Sequence, residues 1–169
     1  MKEIAQLLND MLEAAVITDH ALFGALAQVR YTEPVATLGA DALVAVRDSD
    51  KLDVPAPPYA FCRDRGYSAE GEAIRVGEWP LQLIPAHSPL TREAMASADT
   101  ADYEGVPLRV VRADYLAVTA LEVGRPKDMA RILALLESGS VTPAPVAALA
   151  SRHGLEEAWE RFRTRFLND

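Results

Sequence analysis

The sequence of 169 residues predicts an α+β protein, in which a part that mixes strands and helices over residues 1–111 is followed by a C-terminal helical part over residues 112–169. Two observations predict this class. Up to Val111, short apolar and β-branched runs alternate with segments of helical periodicity. After Val111, helix-type segments follow one another with no strand pattern between them. We expect the helical part to pack on the first part.

The first part is predicted to begin with an amphipathic helix over residues 1–15, a brief strand at 17–23 and a second helix at 25–31. Residues 35–46 are nearly all apolar, which predicts a buried central strand, and residues 47–50 are turn formers that would close it. The further predicted elements are a short helix from 54 to 65, a hairpin of strands at 73–76 and 79–84, a helix that begins at Ser88, and short strands within 103–111.

The second part is predicted to contain helices at 113–123, 127–136, 144–153 and 156–167. Gly139 and Gly154 follow two of them and are typical helix stops. Arg161, Arg163 and Arg165 alternate with other residues in the last helix. We predict that they do not form one stripe and that this helix is a solvated amphipathic one.

Composition excludes several classes of protein. The net charge of −8 disfavours non-specific binding to DNA or RNA, whose phosphates an acidic surface repels. The single cysteine, Cys62, excludes an intramolecular disulfide, fits a reducing compartment, and is predicted to be an inert thiol. No apolar run is long enough to span a membrane, and the N-terminus lacks a signal-peptide pattern. The sequence therefore predicts a cytoplasmic protein with no membrane partner.

One motif carries chemistry. Phe23-Gly24-Ala25 precedes a spacer of 13 residues and then Gly39-Ala40-Asp41-Ala42. Residues i and i+2 of a strand share one face, so acidic residues at such positions would place two carboxylates side by side. Carboxylates in this arrangement hold Mg²⁺ ions, and a glycine turn allows backbone N–H groups to approach phosphates.

This motif resembles that of the nucleotidyltransferase superfamily, in which a glycine turn leads through a spacer to an acidic strand. The resemblance implies a nucleotidyltransferase-type mixed sheet. It also implies that Gly24 and Ala25 contact the nucleotide and that Asp41 is a catalytic residue and a ligand of Mg²⁺. A third carboxylate would come from a neighbouring strand.

Several stretches are similar to the AbiEii-type branch of this superfamily, which contains abortive-infection and type IV toxin proteins of bacteria. The resemblance covers most of residues 16–136, and the stretches that carry it lie at residues 20–27, 31–34, 36–37, 78–84, 109–116 and 124–128. The resemblance implies that Arg125 or Lys127 reaches the nucleotide phosphates. Alternatively, Asp128 and its basic neighbours form ion pairs that pin the helical part to the sheet. A toxin–antitoxin context is implied by the resemblance alone.

The chain departs from the family pattern at the acidic positions. Gly39 stands at the first and Gln82 at the third, so that Asp41 alone remains of the carboxylates. One carboxylate holds Mg²⁺ poorly, and we expect nucleotidyl transfer to be lost or very weak. Glu72 or Glu78 is an alternative third carboxylate. A lysine that the branch often carries in its helical part is replaced near Thr119.

Three functional hypotheses follow. The first is a catalytically impaired nucleotidyltransferase-like protein that binds a nucleotide or a partner. The second is an active metal-dependent enzyme that uses Asp41 with Glu72 or Glu78. The third is a non-catalytic interaction or antitoxin-like protein. Apolar residues of the last helix, among them Trp159 and Phe162, would then cover either its own core or a second copy of the chain.

Overall fold

The computed structural model describes residues 1–46 and 56–167. Seven strands in this part of the chain form one mixed sheet in the order β3-β4-β5-β2-β1-β7-β6. The strands are β1 (Asp19–Phe23), β2 (Ala40–Ala45), β3 (Ala69–Glu70), β4 (Ala73–Val76), β5 (Trp79–Pro85), β6 (Asp99–Tyr103) and β7 (Val106–Val110). The helices are α1 (Lys2–Glu13), α2 (Gly24–Gln28), α3 (Ala56–Asp64), α4 (Pro89–Ala96), α5 (Ala113–Val123), α6 (Pro126–Glu137), α7 (Pro143–Arg152) and α8 (Glu156–Phe166). The predicted α+β class is confirmed.

The chain divides into two compact units, with residues 1–27 and 36–111 in unit 1 and residues 28–35 and 112–169 in unit 2. Their charges differ. Unit 1 contains 16 acidic and 8 basic residues, whereas unit 2 contains nine of each, so the whole net charge of −8 belongs to unit 1.

The core of unit 1 lies between the sheet and its helices. Ile4, Leu7, Leu8 and Met11 share one face of α1, are fully buried, and pack toward β1 and β7. Strand β2 pairs with β1 on one side and with β5 on the other, and Ala42, Leu43 and Val44 are buried. An inner strand covered on both faces explains why the sequence shows a continuous apolar run rather than alternation.

The predicted strand over residues 35–46 was too long, since β2 begins only at Ala40. The Thr37 hydroxyl donates to the Gly39 carbonyl oxygen at 2.9 Å and lies 3.4 Å from the Gly39 amide nitrogen. In this local turn the Thr37 side chain contacts the backbone N–H and C=O groups of Gly39, which in a strand would form hydrogen bonds with a neighbouring strand. The turn predicted at 47–50, and residues 54 and 55 of the next predicted helix, lie outside the described residues.

Of the short strands predicted within 103–111, β7 lies in that range, whereas its antiparallel partner β6 begins earlier, at Asp99. The turn residues between them, Glu104 and Gly105, have φ angles of 55° and 83°, the left-handed pair typical of a tight hairpin turn. Strand β3 was not predicted, because two residues are too few to show periodicity.

Helix α5 forms the centre of unit 2. Eight of its residues are buried, and α6, α7 and α8 all contact it. Thr119, near which the sequence resemblance predicted a lysine, is buried, and its hydroxyl donates to the Tyr115 carbonyl oxygen at 2.7 Å. None of the helices in the described residues is long and apolar enough to cross a membrane.

A buried carboxylate organises the start of α6. Asp128 is 1% exposed, and its oxygens lie 2.7 Å from Arg125 Nε and 3.7 Å from Arg131 Nη1. Asp128 also accepts a hydrogen bond from the Arg125 amide, and Arg131 Nε donates to the buried Gln28 amide oxygen at 3.0 Å. These ion pairs of Asp128 lie within unit 2, and the expectation that they pin the helical part to the sheet stays a prediction.

We expect Asp128→Asn to lower the free energy of unfolding by about 2–3 kcal/mol, because it leaves the Arg131 guanidinium without its buried counter-ion. The half-exposed Arg125 keeps the effect below that of a fully buried pair. Urea unfolding measures the change. The control is Glu160→Gln, which removes a solvent-exposed partner of Arg163 at 2.8 Å and is expected to cost less than about 0.5 kcal/mol. Equal effects of the two variants would show that Asp128 has no special role.

Candidate functional site

The acidic strand and its neighbour bring two of the motif positions together. In the parallel pair β2 and β5, Asp41 and Gln82 are direct register partners. Neighbouring strands lie about 4.8 Å apart, and partners in a ladder point to the same face of the sheet. The residue beside Asp41 is therefore an amide, where a carboxylate would complete a metal site.

Asp41 also lies against the glycine turn between β1 and α2. Phe23 is its register partner on β1, and Gly24 follows with a φ of +67°. A Cβ atom at Gly24 would lie 2.4 Å from Asp41 Oδ2. This position therefore excludes a side chain for two reasons, its backbone conformation and the carboxylate beside it. Ala25, the second residue of the short helix α2, is the first residue after this turn that has a side chain.

Packing closes the first acidic position. A Cβ atom at Gly39 would lie 2.9 Å from the Pro80 carbonyl oxygen and 3.3 Å from Pro80 Cγ. Any side chain at Gly39 would therefore push the start of β5 away from β2. The residue at the predicted first acidic position is therefore a glycine whose surroundings leave no room for a side chain.

Glu72 reaches the site from the turn between β3 and β4. Its Oε2 atom lies 3.5 Å from Gln82 Nε2, a long contact at the outer limit of a hydrogen bond. Both residues line a cavity of about 380 Å³, together with Tyr59, Gly71 and Leu83. The Tyr59 hydroxyl donates to the Glu72 carbonyl oxygen at 2.5 Å, which ties α3 to this turn. Burial raises the pKa of Tyr59, so its hydroxyl stays protonated at neutral pH.

Glu78 is placed too far away to replace the third carboxylate. It lies in the turn before β5, four residues before Gln82, or about 13 Å along an extended strand. Its carbonyl oxygen accepts a hydrogen bond from Arg75 Nη1 at 2.7 Å. Of the two alternatives that the sequence offers, Glu72 is the one near Gln82.

The oxygen donors around Asp41 do not form a carboxylate-rich metal site. Within residues 1–46 and 56–167, no group of three or more His, Cys, Asp or Glu side chains could hold a metal ion. Mg²⁺ prefers octahedral oxygen ligands, and two-metal catalysis needs bridging carboxylates. Asp41 supplies one carboxylate, and Gln82 supplies only a neutral carbonyl oxygen.

The two basic residues of the motif belong to unit 2, whereas Gly24, Ala25 and Asp41 belong to unit 1. Arg125 precedes α6 and binds Asp128, and Lys127 is exposed in the first turn of the helix. Their proposed contact with nucleotide phosphates stays a prediction.

Two ionisable side chains of unit 1 are buried away from this site. His20 on β1 is 1% exposed, and within the described residues its Nδ1 atom has no hydrogen-bond partner. Burial lowers the pKa of His20 to about 4, against the raising effect of Asp19, and Arg109 lowers it further. Cys62 is buried in α3, and burial raises the pKa of its thiol to about 11, consistent with the predicted inert thiol.

Arg109 is a structural residue that sequence reasoning did not single out. It donates to the Asp19 carboxylate and to the carbonyl oxygens of Met95 and Ala96, at 2.8 and 3.1 Å, at the end of α4. A cation at a helix C-terminus is favourable. Only the pairing of β1 with β7 brings these residues together, so the sequence contains no local signal for them.

No family model and no curated protein matches the chain. Solved structures do match. An antigenic nucleotidyltransferase-like protein from Paracoccidioides brasiliensis has a TM-score of 0.57 at 13% identity, with 94% of this chain and 92% of that chain covered. ANT(2'')-Ia in complex with adenylyl-2''-tobramycin has a TM-score of 0.47 at 13% identity, with coverages of 96% and 97%. A solution structure of the antibiotic-resistance factor ANT(2'')-Ia has a TM-score of 0.43 at 14% identity, with coverages of 98% and 95%. The first likeness confirms the nucleotidyltransferase-type fold, and at this identity it shows the fold alone.

Proposed function

We propose that this chain is a catalytically impaired nucleotidyltransferase-fold protein of the AbiEii type, which binds a nucleotide or a partner macromolecule without turnover. One observation carries the proposal: the register partner of Asp41 on the neighbouring strand is Gln82. The resemblance of the motif stretches to the AbiEii branch supports the assignment to that branch and its toxin–antitoxin context.

The chemistry of nucleotidyl transfer explains the impairment. Mg²⁺ ions held by strand carboxylates activate the attacking hydroxyl and neutralise the charge that develops on the pyrophosphate leaving group. Asp41 is the one strand carboxylate of this chain at those positions, and the backbone of Pro80 closes the position of Gly39. With fewer negative charges at these positions, the site binds a divalent cation weakly.

Charge also limits the ligands of unit 1. This unit carries all of the excess negative charge, and Arg75, near the candidate site, is engaged by Glu70 at 2.7 Å. An acidic surface repels a polyphosphate unless a cation bridges them. We therefore expect unit 1 to bind a nucleotide weakly and to bind long nucleic acids not at all at physiological ionic strength.

A second candidate function is metal-dependent nucleotidyl transfer by a rearranged site that pairs Asp41 with Glu72. It is favoured by the contact of 3.5 Å between Glu72 Oε2 and Gln82 Nε2. Because Gln82 is the register partner of Asp41, this contact brings the Glu72 carboxylate next to the residue that pairs with Asp41. In this mechanism Gln82 would donate a carbonyl oxygen to the metal while Glu72 supplied the second charge.

Release of pyrophosphate from ATP, GTP, CTP and UTP with Mg²⁺ or Mn²⁺, with water or a hydroxyl group of the protein as acceptor of the nucleotidyl group, separates these two candidates. We expect the natural chain to release pyrophosphate no faster than the Asp41→Asn variant does. If the rearranged site is active, the natural chain should release pyrophosphate at a measurable rate. This rate should fall at least about 100-fold in Asp41→Asn and in Glu72→Gln. The matched control, Glu78→Gln, removes the same charge from the far turn and should leave any release unchanged. Release that follows the pattern of the rearranged enzyme would overturn the main proposal.

A further inference from the structure

Unit 2 contains a cavity of about 260 Å³ in which two arginines meet an apolar wall. It is lined by residues of α5, α6 and α8 and by the glycine that follows α5, namely Leu121, Gly124, Met129, Ala158, Arg161, Phe162, Arg165 and Phe166. This cavity is separate from the candidate site of unit 1, and nothing in the proposed function uses it.

The spacing along α8 explains how the cavity forms. Ala158, Arg161, Phe162, Arg165 and Phe166 follow one another at the intervals that share one face of a helix. As predicted, the three alternating arginines do not form one stripe, since Arg163 is not among the residues that line the cavity. Arg161 and Arg165 are four residues apart and line the same cavity, because a helix returns to one face after about four residues.

The apolar wall is held in place by aromatic packing. Phe162 is buried, and its ring stacks on Trp159 with centroids 5.6 Å apart. The Phe166 ring lies 5.1 Å from that of Phe162, and the Arg165 guanidinium lies 5.2 Å from the Phe166 centroid. A rigid wall of this kind accepts the face or edge of another ring without a large loss of side-chain freedom.

The cationic side of the cavity remains accessible to a ligand. Arg161 lies 3.5 Å from Glu157, but their side chains are 71% and 94% exposed. Such solvent-screened pairs are weak and exchange easily. The guanidinium of an arginine matches the geometry of a phosphate or a carboxylate and also stacks on aromatic rings. Two guanidinium groups on one wall therefore favour an anion.

We propose that this cavity binds a small anion in which a phosphate or carboxylate group is attached to an aromatic ring. The anionic group would contact Arg161 and Arg165, and the ring would lie against Phe162, Phe166 and Met129. Charge and apolar surface must both be present on the ligand, since the cavity offers both. The volume suits a single ring with one anionic group better than a larger cofactor.

The probe is phenyl phosphate, titrated into the full chain by isothermal calorimetry and by amide NMR shifts. We expect saturable binding that weakens at least 10-fold in Arg161→Gln and in Arg165→Gln. The matched control is Arg163→Gln, which removes the same charge from the same helix but lies outside the cavity and is paired with Glu160. It should bind phenyl phosphate as the natural chain does. Circular dichroism of each variant verifies that α8 remains folded.

Comparison ligands test the proposal without any substitution. Inorganic phosphate, which lacks the ring, and benzyl alcohol, which lacks the charge, should each bind at least 10-fold more weakly than phenyl phosphate. Benzoate identifies the anionic group: equal affinity means that either group is accepted, and weaker affinity selects the phosphate. Absence of saturable binding, equal binding of inorganic phosphate, or an equal loss in Arg163→Gln would overturn the proposal.

Discussion

Replacing Gly24 by alanine is expected to lower the free energy of unfolding by about 3 kcal/mol, combining the cost of a left-handed backbone for a residue with a Cβ atom and that of overpacking. The φ of Gly24 is +67°, and the added methyl group would lie 2.4 Å from Asp41 Oδ2. The carboxylate must move or the turn must open. Chemical unfolding monitored by tryptophan fluorescence measures the loss.

Gly105 provides a matched control for the backbone contribution. It belongs to the same unit, has a φ of +83°, and a Cβ atom there would meet nothing within 4 Å. Gly105→Ala should therefore cost only about 1 kcal/mol. In a double-mutant cycle, Asp41→Ala should recover part of the Gly24→Ala loss, because it removes the atoms that the methyl group meets. Equal losses at both glycines, with no coupling to Asp41, would show that the carboxylate does not lie against the turn.

Acidification is expected to destabilise the protein through His20. Burial depresses its pKa from the ordinary value of 6.5 to about 4, so between these values the unfolded chain binds a proton that the folded chain does not. Stability contributed by neutral His20 is therefore complete above pH 6.5 and is lost as the pH falls toward 4. The loss amounts to about 3 kcal/mol over this range. Arg109 and Asp19 are the charged groups that act on His20, and the net effect still favours the neutral ring.

The measurement is the free energy of unfolding at half-unit steps from pH 7.5 to 4, for the natural chain and for His20→Leu. The difference between the two should change by about 3 kcal/mol across this range, since carboxylates common to both cancel. His87→Gln, which changes an exposed histidine of the loop before α4, should give a curve parallel to that of the natural chain. If His20→Leu also runs parallel, His20 is not the group that titrates.

Local signals account for the elements that the sequence predicted. Proline, glycine and capping residues bound α3, α4 and the helices of unit 2, and the capping box of Ser88 and Thr91 is formed at the start of α4. The length of the strand predicted over residues 35–46 was overestimated for a physical reason. Apolar content reports burial, whereas the turn formed by Thr37 and Gly39 depends on a side-chain hydrogen bond that hydropathy does not show.

The site was only partly predictable. The resemblance to the nucleotidyltransferase motif pointed to Gly24, Asp41 and Gln82, and strand pairing brings these three residues together. The proximity of Glu72 depends on how the β3–β4 turn lies over β5, and the closed space at Gly39 depends on the approach of Pro80. Both are tertiary relations between segments far apart in sequence, and residue spacing along the chain does not encode them.

On the proposed function, the amide of Gln82 beside Asp41 removes the metal affinity that nucleotidyl transfer requires. The direct test is a calorimetric titration of Mn²⁺ into the natural chain and into Gln82→Glu, without nucleotide. Gln6→Glu, which adds the same charge on the exposed face of α1, is the control. We expect no metal-dependent heat from the natural chain or the control, and Mn²⁺ binding at least 10-fold tighter in Gln82→Glu. Tight Mn²⁺ binding by the natural chain that disappears in Asp41→Asn would contradict the claim.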